Sequence, residues 1–492
     1  MTTADWLAEQ ARVHPARMAL VCGPEALSFG ELDERVNRVA RRLSRLGVTG
    51  QDRVALLSPN GIPFAVLAFA LARLRAVLVP LHPRLTAREL LERLQDVRPR
   101  LLLVHPALAG LVGEVGWEPV VFLDPDHPDL FPGIPPDAPR LSHRVLLEAV
   151  QGILYTSGTS ARPKGVLLTY GNHYWNAVGW AQRLGLAEHD MWLVVMPLCH
   201  IGGLAILWRA ALFGATVVIH EAFDAGAVCA ELERARVTLI SLVPTMLRRV
   251  LREWGHRPFP GVRAVLLGGG RIPQDLVAEC MEAGIPVAPT YGLTEAASQV
   301  TTMHPSEVRR KPGSCGRALP VVEVRVEGGE GEILVRGPTV MAGYWQRPEE
   351  TATGLRDGWL RTGDLGRLDE EGYLYLLDRR EDLIVTGGEN VSSGEVEEVL
   401  RTHPAVRDAG VVGIPDPEWG QRVVAVVELM PGITATEEEL RAHCARLLAP
   451  YKVPKRIGFL PELPRTGPEK VNRTALRKWA QENAFREADG GG

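Results

Sequence analysis

The sequence predicts an α/β protein: a large N-terminal domain of two layered α/β subdomains plus a small β-barrel, followed by a smaller α+β C-terminal domain. Three observations carry this. Helical and strand-like apolar patterns alternate over roughly the first 300 residues. The texture then changes to short strands separated by Gly and Pro, without helices between them. A charged stretch near residue 380 precedes about 110 residues of mixed strand and helix, an ordinary size for a small domain.

From the N-terminus, Ser-Phe-Gly-Glu at Ser28–Glu31 is a capping box, and Leu32, Val36, Val39, Leu43 and Leu46 recur at helical spacing until Gly47 ends the run. Ile62 to Ala72 reads as a buried helix, because Arg73 and Arg75 interrupt it well short of the roughly 20 apolar residues a membrane span needs. Strands are expected at Val54–Leu57, Val77–Leu81 and Leu101–Val104, and a Pro- and Asp-rich surface crossing between Asp124 and Arg140. A second alternating region, from Ile153 to about Val300, carries strands at Leu193–Met196, Thr216–His220, Leu239–Val243 and Ala264–Leu267. After Ser314, EGEILVRGP and EGYLYLLDR fit a small barrel or sheet. The expected domains are residues 1–379 and 380–492.

A net charge of -4 argues against a general nucleic-acid binder. The N-terminus places an acidic residue and no basic cluster before any apolar stretch, which is wrong for a secretory signal. Six cysteines stand singly with no metal-ligand spacing, as expected of reduced thiols in cytoplasm. Only six of the 55 basic residues are lysine. Where lysine appears in so arginine-rich a chain, a compact ammonium is expected to be the requirement.

The strongest local signal is YTSGTSARPKG, Tyr155 to Gly165. Glycine and small side chains let backbone N–H groups converge on anionic oxygens, the hydroxyls of Thr156, Ser157 and Thr159 add donors beside Gly158, and Lys164 adds a mobile charge. It is no Walker A loop, since GxxxxGK[ST] is absent and a strand-like VLLT follows the lysine. A Gly/Ser turn in a hairpin would read the same way in isolation.

Further motifs follow in order: PLCH at Pro197–His200, LGGG at Leu267–Gly270, TYGLTE at Thr290–Glu295, RTGD at Arg361–Asp364, DRREDLIVTGGEN at Asp378–Asn390 and PRTGPEK at Pro464–Lys470. With the loop at Tyr155, this series resembles the adenylate-forming superfamily of acyl-CoA synthetases, peptide-synthetase adenylation domains and beetle luciferases, over essentially the whole chain. The resemblance implies a large N-terminal domain, a rotating C-terminal one, and ATP, Mg²⁺ and CoA as reaction partners. Homo-oligomers are compatible with it.

Carried over residue by residue, the resemblance implies that Tyr291 stacks on adenine beside Gly292, with Gly268, Gly269 and Gly270 admitting its edge. Asp364 would accept from the ribose hydroxyls, and Arg379 would support the sugar or phosphate side, with Arg380 able to exchange roles. Thr294 would bond the α-phosphate, Glu295 would hold Mg²⁺, and Lys470 would neutralise the two anions that must meet. A hinge at Arg380, Glu381 and Asp382 would replace Lys470 with the CoA-side loop of Gly387, Gly388, Glu389 and Asn390. Ala161 and Glu469 stand where the family pattern keeps glycine, which puts the shape of both loops in question.

No aspartate near PLCH awaits a substrate ammonium, so an apolar or aromatic acid is expected instead of an amino acid. Longer strings from Leu168, Leu266 and Thr290 resemble the branch whose acid is a keto diacid on a benzoate ring. Such an acid needs polar groups for its second carboxylate; His200, a catalytic candidate as well, Ser298 and Gln299 are the candidates. Other aryl or medium-chain acids, or a carrier protein's phosphopantetheine thiol in place of CoA, stay open.

Overall fold

The computed structural model describes residues 2–127, 129–131, 144–156, 163–270, 272–378, 383–465 and 471–483. It divides into two units: Met1–Pro83 with Leu94–Tyr155 and Gly165–Asp378, and Arg84–Arg93 with Thr156–Lys164 and Arg379–Gly492.

In the first unit, the Ser28 hydroxyl accepts the Glu31 backbone N–H, and the Glu31 carboxylate accepts the Ser28 N–H at 2.8 Å. This reciprocal cap starts the helix Phe29–Arg45. Leu32, Val36, Val39 and Leu43 bury its inner face, and Gly47 at φ +81° turns the chain out. The apolar helix Ile62–Leu74 continues through Arg73 because that guanidinium is itself buried, bonded to Asp5 at 2.8 Å and Asp33 at 2.7 Å. A charge expected to end the run is absorbed as a buried, doubly paired one.

Two mainly parallel sheets form the layers. In the first, Val77–Leu81, Arg53–Leu57, Leu101–Val104 and Val120–Phe122 lie side by side in that order. Their apolar runs suit strands covered on both faces. In the second, Val287–Leu293, Ala264–Leu267, Leu239–Leu242, Met191–Val194, Thr216–Ile219 and Met18–Cys22 run parallel in that order. Ser298–Thr302 and Glu25–Ser28 bracket these antiparallel. The strands differ from the sequence expectation by a residue or two at their ends.

Beyond Ser314 the chain builds an antiparallel sheet from Glu323–Val326, Glu330–Arg336, Leu355–Arg356, Trp359–Leu368 and Leu374–Asp378. The expectation of strands with no helix between them is corrected by a short helix, Pro348–Gly354. Pro348 has its φ preset for a first turn, and Glu349 and Glu350 face the positive end of the helix dipole.

In the second unit, Val406–Asp416 and Gly420–Leu429 pair antiparallel along their length. Ala409, Val411, Val423, Ala425 and Val427 pack against the helices Ser393–Arg401 and Glu437–Leu447. Val412, Ile414, Val424 and Val426 pack with Leu476 and Ala480 of the helix Arg473–Asn483. Alternation at period two thus gives one hairpin two apolar faces. Among the described residues no helix is long and apolar enough to cross a membrane.

Candidate active site

Open α/β sheets bind ligands beyond the carboxyl ends of their parallel strands. At that edge of the first unit's larger sheet, Met191–Val194 leads to the turn ending at His200, Ala264–Leu267 to Gly268–Gly270, and Val287–Leu293 to the single turn Thr294–Ala296. Three motifs far apart in sequence therefore share one rim.

Two of them touch. A Cβ on Gly268 would lie 2.7 Å from Thr290 Cγ2 and 3.1 Å from its carbonyl oxygen, so only glycine lets the LGGG loop lie against the TYGLTE strand. The Tyr291 hydroxyl donates to Asp364 Oδ2 at 2.8 Å, with both residues buried at 4% and 8% exposure. The Asp364 turn is held in turn by Gly363 N–H to Glu332 Oε1 at 2.8 Å and by Asp364 N–H to Thr362 Oγ1 at 3.1 Å. The structure thus joins the aromatic and the carboxylate expected to face adenosine.

The TYGLTE turn is tightly specified. A Cβ on Gly292 would meet Ser298 O at 1.9 Å, at the bulge where Gly292 pairs with Gln299. Ala297 and Ser298 then adopt φ of +56° and +111°, which non-glycine residues rarely do. Such strain persists only where the surroundings over-determine it. Here Asn176 donates to Gln299 O at 2.9 Å, and Arg209 donates to Asn176 Oδ1 at 2.6 Å. Arg209 is fully enclosed against Trp180 and Trp192; burial lowers its pKa to about 9, which leaves it charged at neutral pH. Beside it, burial and then the Arg209 charge push His173 down to about 3, so the imidazole that meets Gln151 Oε1 at 3.0 Å is neutral.

Glu295 projects from the same turn. Its Oε1 accepts the Tyr344 hydroxyl at 3.0 Å, and its carbonyl accepts Met341 N–H at 2.8 Å. A carboxylate steered by a phenol is an oxygen ligand suited to a hard cation such as Mg²⁺. Thr294 and Ser298 are half-buried alongside. Gln299 is 5% exposed, and its Oε1 has no hydrogen-bond partner among the described residues.

His200 caps the helix Ile201–Phe213 with its backbone: its carbonyl accepts from Gly203 at 3.1 Å and Leu204 at 2.9 Å. Gly203 is needed because a Cβ there would stand 2.5 Å from Pro197 O. Asn60 clamps the approach to this turn, donating to Met196 O at 3.0 Å and His220 O at 3.2 Å and accepting from Leu198 N–H at 2.7 Å.

Of the other expected residues, Thr156 ends the strand Val150–Thr156 and Lys164 opens the strand Lys164–Thr169. The Thr156 Oγ1 is buried without a hydrogen-bond partner among the described residues. In the second unit, Gly387 and Gly388, at φ +59° and +87°, make the two-residue turn between Leu383–Thr386 and Glu389–Ser392, with Glu389 buried and Asn390 exposed. Ser157, Gly158, Thr159, Ala161, Arg379, Arg380, Glu381, Asp382, Glu469 and Lys470 lie outside the described residues. Sequence reasoning missed Asn60, Asn176, Arg209 and Tyr344. Only Arg209 carried a signal, as the single charge in an apolar helix.

Curated relatives match nearly end to end. A 2-succinylbenzoate–CoA ligase of Geobacillus kaustophilus (strain HTA426) is 44% identical over 486 residues, covering 97% of this chain and 98% of its own. One of Bacillus mycoides (strain KBAB4) is 40% identical over 490 residues, covering 98% and 99%. Among solved structures, a double mutant of o-succinylbenzoate CoA synthetase (MenE) from Bacillus subtilis, bound with its product analogue OSB-NCoA, is 37% identical with a TM-score of 0.92, covering 97% of this chain and 99% of its own. The same enzyme with the acyl-adenylate intermediate OSB-AMP is 37% identical with a TM-score of 0.75, covering 97% and 98%. The AMP-binding enzyme family matches residues 7–345, and that family's C-terminal domain matches residues 395–470. With the glycine loops, the Tyr291–Asp364 pair and Glu295 gathered at one sheet edge, this chain belongs to the AMP-binding enzyme family.

Proposed function

We propose that the chain is an AMP-forming acid–thiol ligase that converts 2-succinylbenzoate, ATP and CoA to 2-succinylbenzoyl-CoA, AMP and pyrophosphate, a cytoplasmic step of menaquinone biosynthesis. The carrying observation is the convergence of His200, Gly268–Gly270, Tyr291–Glu295 and Asp364 in one unit. Near full-length similarity to 2-succinylbenzoate–CoA ligases supports the choice of acid.

In this reading the Tyr291 ring stacks on adenine while its hydroxyl orients Asp364 toward the ribose hydroxyls. Thr294 donates to the α-phosphate, and Thr156, Ser157, Gly158, Thr159 and Lys164 hold the remaining phosphates. Glu295 would hold Mg²⁺, which would supply charge to offset that of the polyphosphate. The Gln299 Oε1 position is buried and unpartnered among the described residues; with the side-chain amide turned over, its N–H₂ takes that place and donates to the acid's second carboxylate. His200 and Ser298 complete that polar wall. Lys470 brings an ammonium to the meeting carboxylate and α-phosphate, and Arg379 supports the sugar or phosphate side. Residues 1–379 form the adenylate-forming domain and residues 380–492 a mobile one, hinged at Arg380–Asp382, that presents Gly387–Asn390 for thioester formation. At an ordinary thiol pKa a few per cent of CoA is thiolate at neutral pH, so no dedicated base is required.

The test is acid- and CoA-dependent AMP release with 2-succinylbenzoate beside benzoate, a medium-chain fatty acid and amino acids. Strong preference for 2-succinylbenzoate supports the assignment. Turnover of another acid keeps the chemistry and removes the pathway; turnover of none points to a carrier-protein thiol or a non-catalytic role.

A further inference from the structure

At one rim of the first unit, His200 of the proposed acid pocket stands beside two donors, His82 and Cys199, to which the ligase reading gives no role. His82, Cys199 and His200 each offer one ligand atom, and those atoms all lie within 4.8 Å of one another. The two imidazole rings stand 5.4 Å apart, tilted by 37°. His82 and Cys199 are each 8% exposed and His200 is half-buried. The polypeptide fixes all three. His82 directly follows the strand Val77–Leu81, Cys199 and His200 sit in the turn that Asn60 pins through Leu198, and His200 is locked as a helix cap.

We propose that these three residues bind a divalent cation of the zinc class, at a site that competes with the carboxylic acid. Two imidazoles and one thiolate make a borderline-soft set that suits Zn²⁺ and excludes Mg²⁺, which demands oxygen ligands. Bonds of about 2.0–2.1 Å to nitrogen and 2.3 Å to sulfur at tetrahedral angles place donor atoms roughly 3.3–3.6 Å apart. A bound ion would draw the observed spread of up to 4.8 Å in to that spacing. A bound ion displaces the thiol proton to solvent, and the thiolate charge offsets the unfavourable end of the helix dipole at His200. Three ligands leave a fourth position open to water or to a carboxylate. The site itself stands independently of the proposed function; only its competition with the acid rests on the reading of His200 as part of the acid pocket.

The experiment is titration of the reduced, full-length protein with Co²⁺, a spectroscopic stand-in for Zn²⁺, followed by back-titration with Zn²⁺. The expected result is one Co²⁺ per chain with a thiolate-to-cobalt charge-transfer band, abolished by Zn²⁺ and lost in both Cys199→Ser and His82→Gln, with circular dichroism showing both variants folded. A charge-transfer band that survives in folded Cys199→Ser, or no band in the wild type, overturns the site; should His82→Gln misfold, Cys199→Ser alone decides. Zn²⁺ should then inhibit the wild type competitively with 2-succinylbenzoate, and at least tenfold more zinc should be needed in Cys199→Ser. A band without such inhibition keeps the metal site and overturns its competition with the acid. A wild type inactive toward every acid, yet showing the band, fails the proposed function and leaves the metal site standing.

Discussion

Replacing Tyr291 by phenylalanine keeps the aromatic ring proposed to stack on adenine and deletes one hydroxyl, the one that donates to Asp364 at 2.8 Å. A hydrogen bond to a charged group contributes about 1.5–3 kcal/mol. Taking the lower end as the share that reaches the nucleotide through the orientation of the carboxylate gives about a tenfold rise in the Kd for ATP, roughly 1.4 kcal/mol. Asp364→Ala would remove the two ribose bonds proposed for this carboxylate, at about 1.5 kcal/mol each, so a rise of about 100-fold is expected. Because Tyr291 acts through Asp364, the double variant should bind ATP about as weakly as Asp364→Ala alone. Isothermal titration calorimetry with ATP and no acid present measures all four proteins. A double variant weakened about 1,000-fold, the sum of the single effects, would refute the reasoning. So would a Tyr291→Phe protein that binds ATP as the wild type does.

Glu295→Ala should raise the Mg²⁺ concentration needed for half-maximal AMP release about tenfold or more, and an unchanged magnesium titration removes the residue from the metal. Lys470→Ala should abolish adenylation yet leave thioester formation from supplied acyl-AMP largely intact, and equal loss of both half-reactions counts against the two-state scheme. His173 has an ordinary pKa of 6.5 and a folded value near 3, so between those values the unfolded chain binds a proton that the folded one does not. Stability should therefore fall as pH drops below 6.5, by up to about 1.4 kcal/mol per unit from this group. Urea unfolding at pH 7 and pH 5 should show a smaller pH difference for His173→Gln than for the wild type; equal differences acquit this imidazole.

The strands of the parallel layers were legible because burial on both faces writes an unbroken apolar run, as at Leu101–Val104. The helix Phe29–Arg45 was legible because its cap, its periodicity and its terminating glycine are all local. The helix Pro348–Gly354 was overlooked at seven residues, too short for a periodic stripe, although its proline and paired glutamates announce a first turn. In the candidate site, residues within recognisable motifs are legible in the sequence. Their supports are not: Asn60 holds a turn 136 residues away, and Asn176 holds one 123 residues away. Such bonds leave no periodicity and no spacing to read. Tyr344 likewise gave no hint that it steers Glu295 from 49 positions downstream.

The left-handed backbone at Ala297 and Ser298 bears on how this protein can be engineered. A positive φ without glycine costs about 1–2 kcal/mol, so Ala297→Gly looks like an easy route to a more heat-resistant protein. Its melting temperature should rise while its turnover falls, if the proposed roles of Thr294 and Glu295 hold, because the stiffness removed holds the turn that carries them. Thermostable descendants of this chain are better sought at exposed left-handed positions away from the rim, such as Gln51 and Asp357, where relaxation leaves the chemistry alone.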